Sequence, residues 1–112
     1  MAGDVDIEPG SLGIKGSTQP EVYDGTVQRM VAELQDPIKA TAFWKNSLRL
    51  DGPIEIWEIS GERYLYNGNH RWHAALEAGV RIPIANIVIV VQGTSQIPTW
   101  PLDRMTRVPG FK

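Results

Sequence analysis

The chain has 112 residues, with 11 lysine and arginine side chains against 13 aspartate and glutamate side chains, and a formal net charge of −2. This length supports one domain with one modest core, and a hydrophobic content of 42 % is typical of a globular protein. The slightly acidic balance argues against a protein that coats nucleic acid non-specifically. Because the chain has no cysteine, disulfides, thiol catalysis and zinc–thiolate sites are excluded. No apolar stretch is long enough to span a membrane.

The first twenty residues are rich in glycine and proline. Such a composition predicts an irregular arm or linker remnant over residues 1–20, holding one short strand, and a folded domain over residues 21–112. Two helices are expected at the start of that domain. Val27, Met30, Val31 and Leu34 recur at helical spacing and predict the first one. The pair Asp36-Pro37 then supplies an N-cap and a first-position proline for the second, which is expected to end near Ser47.

A β-hairpin followed by a helix is expected in the middle of the chain. Residues 54–59 and 64–66 are rich in strand-forming residues and flank a Ser-Gly-Glu turn. Trp72, Ala75 and Leu76 recur at helical spacing, and Gly79 is placed to cap that helix. The apolar run from Ile82 to Val91 predicts a central strand covered on both faces. Beyond Gly93, three prolines predict an irregular tail. The expected fold is a small single α+β domain with a mixed sheet of about four or five strands.

The turn between the hairpin and the helix carries both histidines of the chain. With Asn69 as N-cap, His70 and Arg71 occupy the first helical positions, and Gly68 lets a ligand approach the backbone. Unpaired N–H groups and the positive end of the dipole favour an anion at a helix start. An arginine there can grip two phosphate oxygens. This turn is therefore predicted to bind phosphate, with His73, one helical turn beyond His70, as a second catalytic candidate or as a structural histidine.

This stretch resembles a known signature. Residues 68–75, Gly-Asn-His-Arg-Trp-His-Ala-Ala, and the Ala-Gly-Val and apolar run after them look like the turn, helix and strand of the ParB/sulfiredoxin superfamily. The resemblance covers roughly residues 50–91. It implies a nucleotide or nucleic-acid phosphate held at the turn. Sulfiredoxins carry a cysteine where this chain has Asn69, so sulfinic-acid repair is excluded. Partition proteins carry Glu-Arg-Arg where this chain has Asn69, His70 and Arg71.

Further side chains could extend the site. Asn67 could aim its amide at a ligand, Tyr66 could stack a base, and Arg63 and Lys45 are basic residues that could lengthen a binding strip. A protein-held metal is not expected, because Glu77 lies about 10 Å along the helix from His70. A magnesium ion could still accompany a phosphate substrate.

Two functional classes remain open. The first, which the resemblance implies, is a nuclease-like bacterial toxin domain of the kind found at the C-terminal end of large secreted proteins. Such a domain acts on nucleic acid or nucleotide phosphates in the cytoplasm of a target cell. A cognate immunity protein would neutralise it, with His70, His73 and Arg71 as catalytic residues. The second is a nucleotide-binding module for CTP or ATP, a switch or a small-molecule kinase, without strand cleavage. Both classes need the same phosphate site.

Overall fold

Three helices pack on a mixed five-stranded sheet in a computed structural model of the chain, which describes residues 6–94 and 96–112. The helices are α1 (Asp24–Leu34), α2 (Pro37–Asp51) and α3 (Asn69–Ala78). The strands are β1 (Asp6–Ile7), β2 (Ile14–Ser17), β3 (Glu21–Tyr23), β4 (Ile54–Ile59), β5 (Glu62–Asn67), β6 (Ile82–Pro83), β7 (Ile87–Gly93), β8 (Trp100–Pro101) and β9 (Thr106–Val108). This confirms the predicted small α+β domain.

The two N-terminal helices form where the sequence predicts them. The apolar stripe of α1 is buried at Val27, Val31 and Leu34. Between the helices, the Asp36 side chain accepts a hydrogen bond from the Ile38 N–H at 2.9 Å, which caps the start of α2. Helix α2 runs four residues beyond the predicted end at Ser47, to Asp51. No helix within the described residues is long and apolar enough to cross a membrane.

The five-stranded sheet has the order β7-β4-β5-β2-β8. Strands β4 and β5 form the predicted antiparallel hairpin. Ser60 and Gly61 turn it with positive φ angles of 52° and 80°. Strand β7 pairs in parallel with β4, and β2 pairs in parallel with β5. The buried side chains of Ile54, Ile56 and Leu65 join those of the helices in one core.

The arm predicted over residues 1–20 is part of the domain in its described portion, residues 6–20. Strand β2 lies inside the sheet between β5 and β8. Ser17, at the end of β2, is fully buried, and its hydroxyl donates to the Leu65 carbonyl at 3.2 Å. Leu12 joins the core. Glycine and proline content suggested an irregular segment, because composition says nothing about pairing with a strand almost fifty residues away.

The central strand predicted over Ile82–Val91 is wrong in both extent and position. The run is divided by a 3-10 turn over Ile84–Asn86 into β6, which pairs with β1, and β7, which lies at an edge of the sheet. Val88, Ile89 and Val91 are exposed. A run of β-branched residues is compatible with a central or an edge strand, and pairing alone decides between them.

The tail beyond Gly93 also pairs with the body of the fold, against the prediction of an irregular segment. Strand β8 pairs antiparallel with β2, and β9 pairs in parallel with β3. Leu102 and Met105 pack against the core. The prolines do not prevent this, because both strands are short and lie at sheet edges. The tail thereby reaches the start of α1, where the Lys112 N–H donates to the Thr26 hydroxyl at 2.9 Å.

Candidate functional site

The turn between β5 and α3 is set by Gly68. Its φ of 87° and ψ of 27° lie in the left-handed region, which favours glycine. A Cβ atom at this position would lie 2.9 Å from Ile54 Cγ1 and 3.0 Å from Arg71 Nη2. Gly68, rather than the predicted Asn69, is the N-cap of α3, and Asn69 is the first helical residue. The missing side chain at Gly68 makes room for Ile54 and Arg71, whereas the sequence suggested room for a ligand.

No side chain caps the start of α3. The Trp72 N–H donates to the Gly68 carbonyl at 3.0 Å, whereas no acceptor among the described residues meets the N–H groups of Asn69, His70 and Arg71. Asn69 is 3 % exposed, and its Oδ1 is buried with no described hydrogen-bond partner. The helix therefore begins with unsatisfied backbone donors, as an anion site requires.

A cavity of about 170 Å³ opens at this turn. The run 67–71, which the sequence singled out, contributes five consecutive residues to its wall. The remaining lining residues come from the segment before β3, from α1, from the end of α2 and from the tail: Gln19, Met30, Asp51 and Lys112. Lys112 is exposed, and no acceptor among the described residues pairs with its ammonium group. The predicted anion site thus coincides with a recess lined by arginine, histidine and lysine together with one acidic residue, Asp51.

His70 is held by the strand that precedes α1. Its Nε2 accepts a hydrogen bond from the Tyr23 N–H at 3.0 Å, and the two rings stack with centroids 6.2 Å apart. The proton of the neutral ring is therefore on Nδ1, which no described residue engages. Burial lowers the pKa of His70, and the charges of Lys112 and Arg107 lower it further. The imidazole is thus a neutral Nδ1–H donor at neutral pH.

Arg71 is buried, not the exposed helix charge that its position suggested. It is 4 % exposed, and its Nη1 donates to the Gly52 carbonyl at 2.7 Å. Burial lowers the pKa of the guanidinium, and the nearby Asp51 carboxylate opposes this. The side chain joins the start of α3 to the turn between α2 and β4. Its positive charge lies in the wall of the cavity, with one of its five N–H donors already used.

His73 and His70 lie in different surroundings. It does not line the cavity, and its ring packs edge-to-face on Trp72 with centroids 5.0 Å apart. Its Nε2 is buried without a described hydrogen-bond partner. Burial lowers its pKa to about 4, with a further lowering by Arg107. The two histidines share a helix face but do not converge on one recess, so the geometry favours the structural alternative for His73.

Of the four further residues predicted to contact substrate, Asn67 alone lines the cavity, where its amide donates to the Asp51 carbonyl at 3.3 Å. Tyr66 precedes it on β5 and points to the opposite sheet face. There it stacks on Trp57 with centroids 3.9 Å apart. Arg63 pairs with Glu58 and donates to the Leu12 carbonyl. Lys45 lines a different cavity, beside α2.

Sequence reasoning missed Gln19, Met30, Asp51 and Lys112 as cavity residues. Lys112 has no local signal, because its approach to α3 depends on the parallel pairing of β3 with β9. Asp51 had a local signal, since it directly precedes the Gly52-Pro53 turn that leads into β4. Gln19 and Met30 reach the cavity only through the tertiary fold, so no local sequence pattern reveals them.

Comparison with known proteins identifies no family for this chain. No family model matches it, and no curated protein matches its sequence. The ParB/sulfiredoxin resemblance therefore stays a prediction from residues 50–91.

Within residues 6–94 and 96–112, no group of three histidine, aspartate or glutamate side chains is arranged to hold a metal ion. Glu77, which follows His73 by one turn, pairs with Arg107 and accepts from the Gln28 amide. Arg107 also pairs with Asp24 at 2.9 Å. These ion pairs join the tail to α1 and α3, and so hold Lys112 near the cavity.

Proposed function

We propose that the domain binds a phosphate group of a nucleotide or nucleic acid in the cavity at the start of α3. The observation that carries this proposal is the convergence of donors on one recess. Three backbone N–H groups have no described acceptor, His70 offers its Nδ1–H, and Arg71 and Lys112 supply positive charge. Helix N-termini with adjacent cations bind anions in this way.

The size of the cavity agrees with a phosphate group and not with a whole nucleotide. A water molecule takes about 30 Å³ of liquid, so about 170 Å³ accommodates roughly five or six non-hydrogen atoms. A phosphate group has five. The sugar and base of the ligand would then lie outside the recess. Asn67 and Gln19, which line the cavity, are polar side chains available to contact them.

The biological role proposed for this site is that of a nuclease-like bacterial toxin domain. It would belong to a larger secreted protein and act on nucleic acid or nucleotide phosphates in the cytoplasm of a target cell. Support comes from the signature-like turn and from the donor-lined recess on it. In such a reaction His70 and Arg71 would stabilise the negative charge that develops on the phosphate oxygens. A magnesium ion could accompany the substrate.

A second candidate is a nucleotide-binding module without strand cleavage. The observation that favours it is the state of the two histidines. His70 uses Nε2 to accept from Tyr23, and His73 does not line the cavity and has its Nε2 buried. A pair of histidines acting as base and acid would need both rings within reach of the phosphate. Binding without hydrolysis requires only the donors already present.

Replacing Lys112 with alanine is expected to weaken phosphate binding about five- to ten-fold. This corresponds to losing about 1 kcal/mol from one exposed charge contact. Titration calorimetry with inorganic phosphate, CTP, ATP and a 5′-phosphorylated oligonucleotide measures the effect. Lys39→Ala is the matched control, because Lys39 is exposed on α2 and does not line this cavity. If Lys112→Ala bound every phosphate ligand with unchanged affinity, the proposed site would be contradicted.

Cleavage is tested separately from binding. The wild type is incubated with plasmid DNA, total RNA and labelled nucleotides, with and without magnesium. A toxin of the proposed kind degrades at least one of them, and His70→Gln abolishes the reaction. Phosphate binding without product in any reaction would favour the nucleotide-binding module.

An immunity protein for this site is expected to present an acidic surface. Complementary charge speeds encounter and takes the place of the phosphate. Lys112→Glu should therefore weaken the complex, and the complex should also weaken as salt rises. The experiment is to co-express the domain with the product of the neighbouring downstream reading frame. If that product neither binds the domain nor protects cells from it, the toxin role is abandoned.

A further inference from the structure

A second and larger cavity lies beside α2. It has a volume of about 520 Å³ and shares no residue with the cavity at α3. Helix α2 forms one wall, the segment 80–86 forms the other, and the end of α1 contributes Leu34. Ligand cavities commonly measure about 300–1,000 Å³. The volume of this recess lies within that range.

The walls of this cavity are largely apolar. Leu34, Trp44, Leu48, Val80 and Pro83 supply hydrocarbon and aromatic surface. Helix α2 supplies the apolar surface of one wall, since Trp44 and Leu48 are one turn apart on the same face of the helix. Water makes few favourable contacts with apolar walls. An apolar ligand body of matching length is favoured there, because binding removes its surface from water. The expected ligand therefore has a hydrocarbon or aromatic portion.

The recess is held open by a buried hydrogen bond. The Asn86 side chain, which is 3 % exposed, donates to the Trp44 carbonyl at 2.9 Å. This bond joins the two walls at a fixed separation. A buried amide that lost its partner would cost about 1–3 kcal/mol, which opposes rearrangement of the walls. The cavity is therefore present before any ligand arrives.

Two cations lie at the cavity. Arg81 is held in an ion pair with Glu8 at 2.9 Å. Lys45 is exposed on α2, and no acceptor among the described residues pairs with it. Asp6 also lines the cavity, at the end where β1 pairs with β6. Lys45 is thus the positive charge that remains for an incoming anion.

We propose that this cavity binds a small amphipathic carboxylate, with its apolar body on Trp44 and Leu48 and its carboxylate at Lys45. At about 30 Å³ for each water-sized volume, the cavity accommodates roughly seventeen non-hydrogen atoms. Dodecanoate, with fourteen, is a probe of matching size. The proposal is independent of the phosphate site, because neither Lys45 nor Trp44 reaches the turn before α3.

Titration calorimetry with dodecanoate below its micelle concentration tests the proposal. Wild-type protein should bind it, and dodecanol, which lacks the charge, should bind at least several-fold more weakly. Lys45→Glu should weaken dodecanoate binding by about ten-fold or more, through loss of the attraction and like-charge repulsion. Lys39→Glu makes the same charge change on the same helix outside the cavity and should leave the affinity unchanged.

Ala40→Trp places a large side chain in the cavity and should abolish dodecanoate binding while phosphate binding continues. If that variant does not fold, Ala85→Trp blocks the recess from the opposite wall. The proposal is overturned if dodecanoate does not bind the wild type, or if a folded blocked variant still binds it. Equal weakening by Lys39→Glu and Lys45→Glu would also overturn it, since it would indicate attraction to the general surface.

Discussion

Replacing Arg71 with alanine is expected to lower the free energy of unfolding by about 2 kcal/mol, in addition to weakening phosphate binding. The side chain is 4 % exposed and donates to the Gly52 carbonyl. Its removal leaves that carbonyl without its charged donor and opens space beside Gly68. Hydrogen bonds to charged groups contribute about 1.5–3 kcal/mol. For a domain of this size the melting temperature should fall by roughly 10 °C, measured by calorimetry or circular dichroism.

The matched control is Arg49→Ala. Arg49 is an exposed charge near the end of α2, so its removal should change the unfolding free energy by no more than about 0.5 kcal/mol. A wild-type melting temperature for Arg71→Ala would contradict the structural role. The helical position of Arg71 in the sequence gives no indication of this burial, because the Gly52 carbonyl that it contacts lies nineteen residues earlier.

Acidification from pH 6.5 to pH 4 is expected to destabilise the domain by at most about 3 kcal/mol through His73. Burial lowers the pKa of His73 to about 4 in the folded chain, against an ordinary value near 6.5. Between these values the unfolded chain binds the proton and the folded chain does not, so stability falls as the pH falls. Well above pH 6.5, by about one unit or more, His73 is neutral in both states and its contribution is constant. Urea titrations at several pH values measure this slope.

The variant that isolates this effect is His73→Leu. It removes the titrating ring together with a buried Nε2 that has no described partner, so stability at neutral pH should change little. Its acid slope should be much smaller than that of the wild type. The small acid slope that remains in this variant is expected to come from His70, whose pKa is also lowered. Identical slopes in the two proteins would show that His73 does not titrate as the structure indicates.

Local signals predicted the helices and the hairpin because the determinants are neighbours in the chain. The stripe of Val27, Val31 and Leu34 needs only the helical repeat to form one face. The cap of α2 needs only Asp36 and the N–H of a residue two positions later. The turn at Gly68 is likewise a property of its own backbone.

Features that depend on distant pairing could not be predicted in the same way. An apolar run such as residues 87–91 is compatible with a central strand and with an edge strand of a sheet. In this fold it lies at the edge. The position of β2 between β5 and β8 depends on partners far along the chain. For this reason the sequence did not indicate that a strand of the expected arm, β2, lies inside the sheet.

The residues of the candidate site also fall into two groups: those that neighbours in the chain could predict and those that depend on distant contacts. Residues 67–71 lie together because they are consecutive, and the sequence therefore identified that wall of the cavity. Lys112 completes the recess from the tail, and Arg71 donates to the carbonyl of Gly52, nineteen positions earlier. His73 was placed on the same helix face as His70 by spacing alone, and spacing gives no information on which neighbours cover each ring.

The parallel pairing of β3 with β9 also determines the order in which the fold can assemble. It joins Glu21 to Thr106, and β1 joins Asp6 to Pro83. Contacts between such distant segments slow folding relative to a helical bundle of the same length. On a ribosome, the hairpin and α3 emerge well before residues 106–112. The recess at α3 is therefore completed only after Lys112 has emerged, so a nascent chain carries the turn at Gly68 before it carries the lysine that completes the recess.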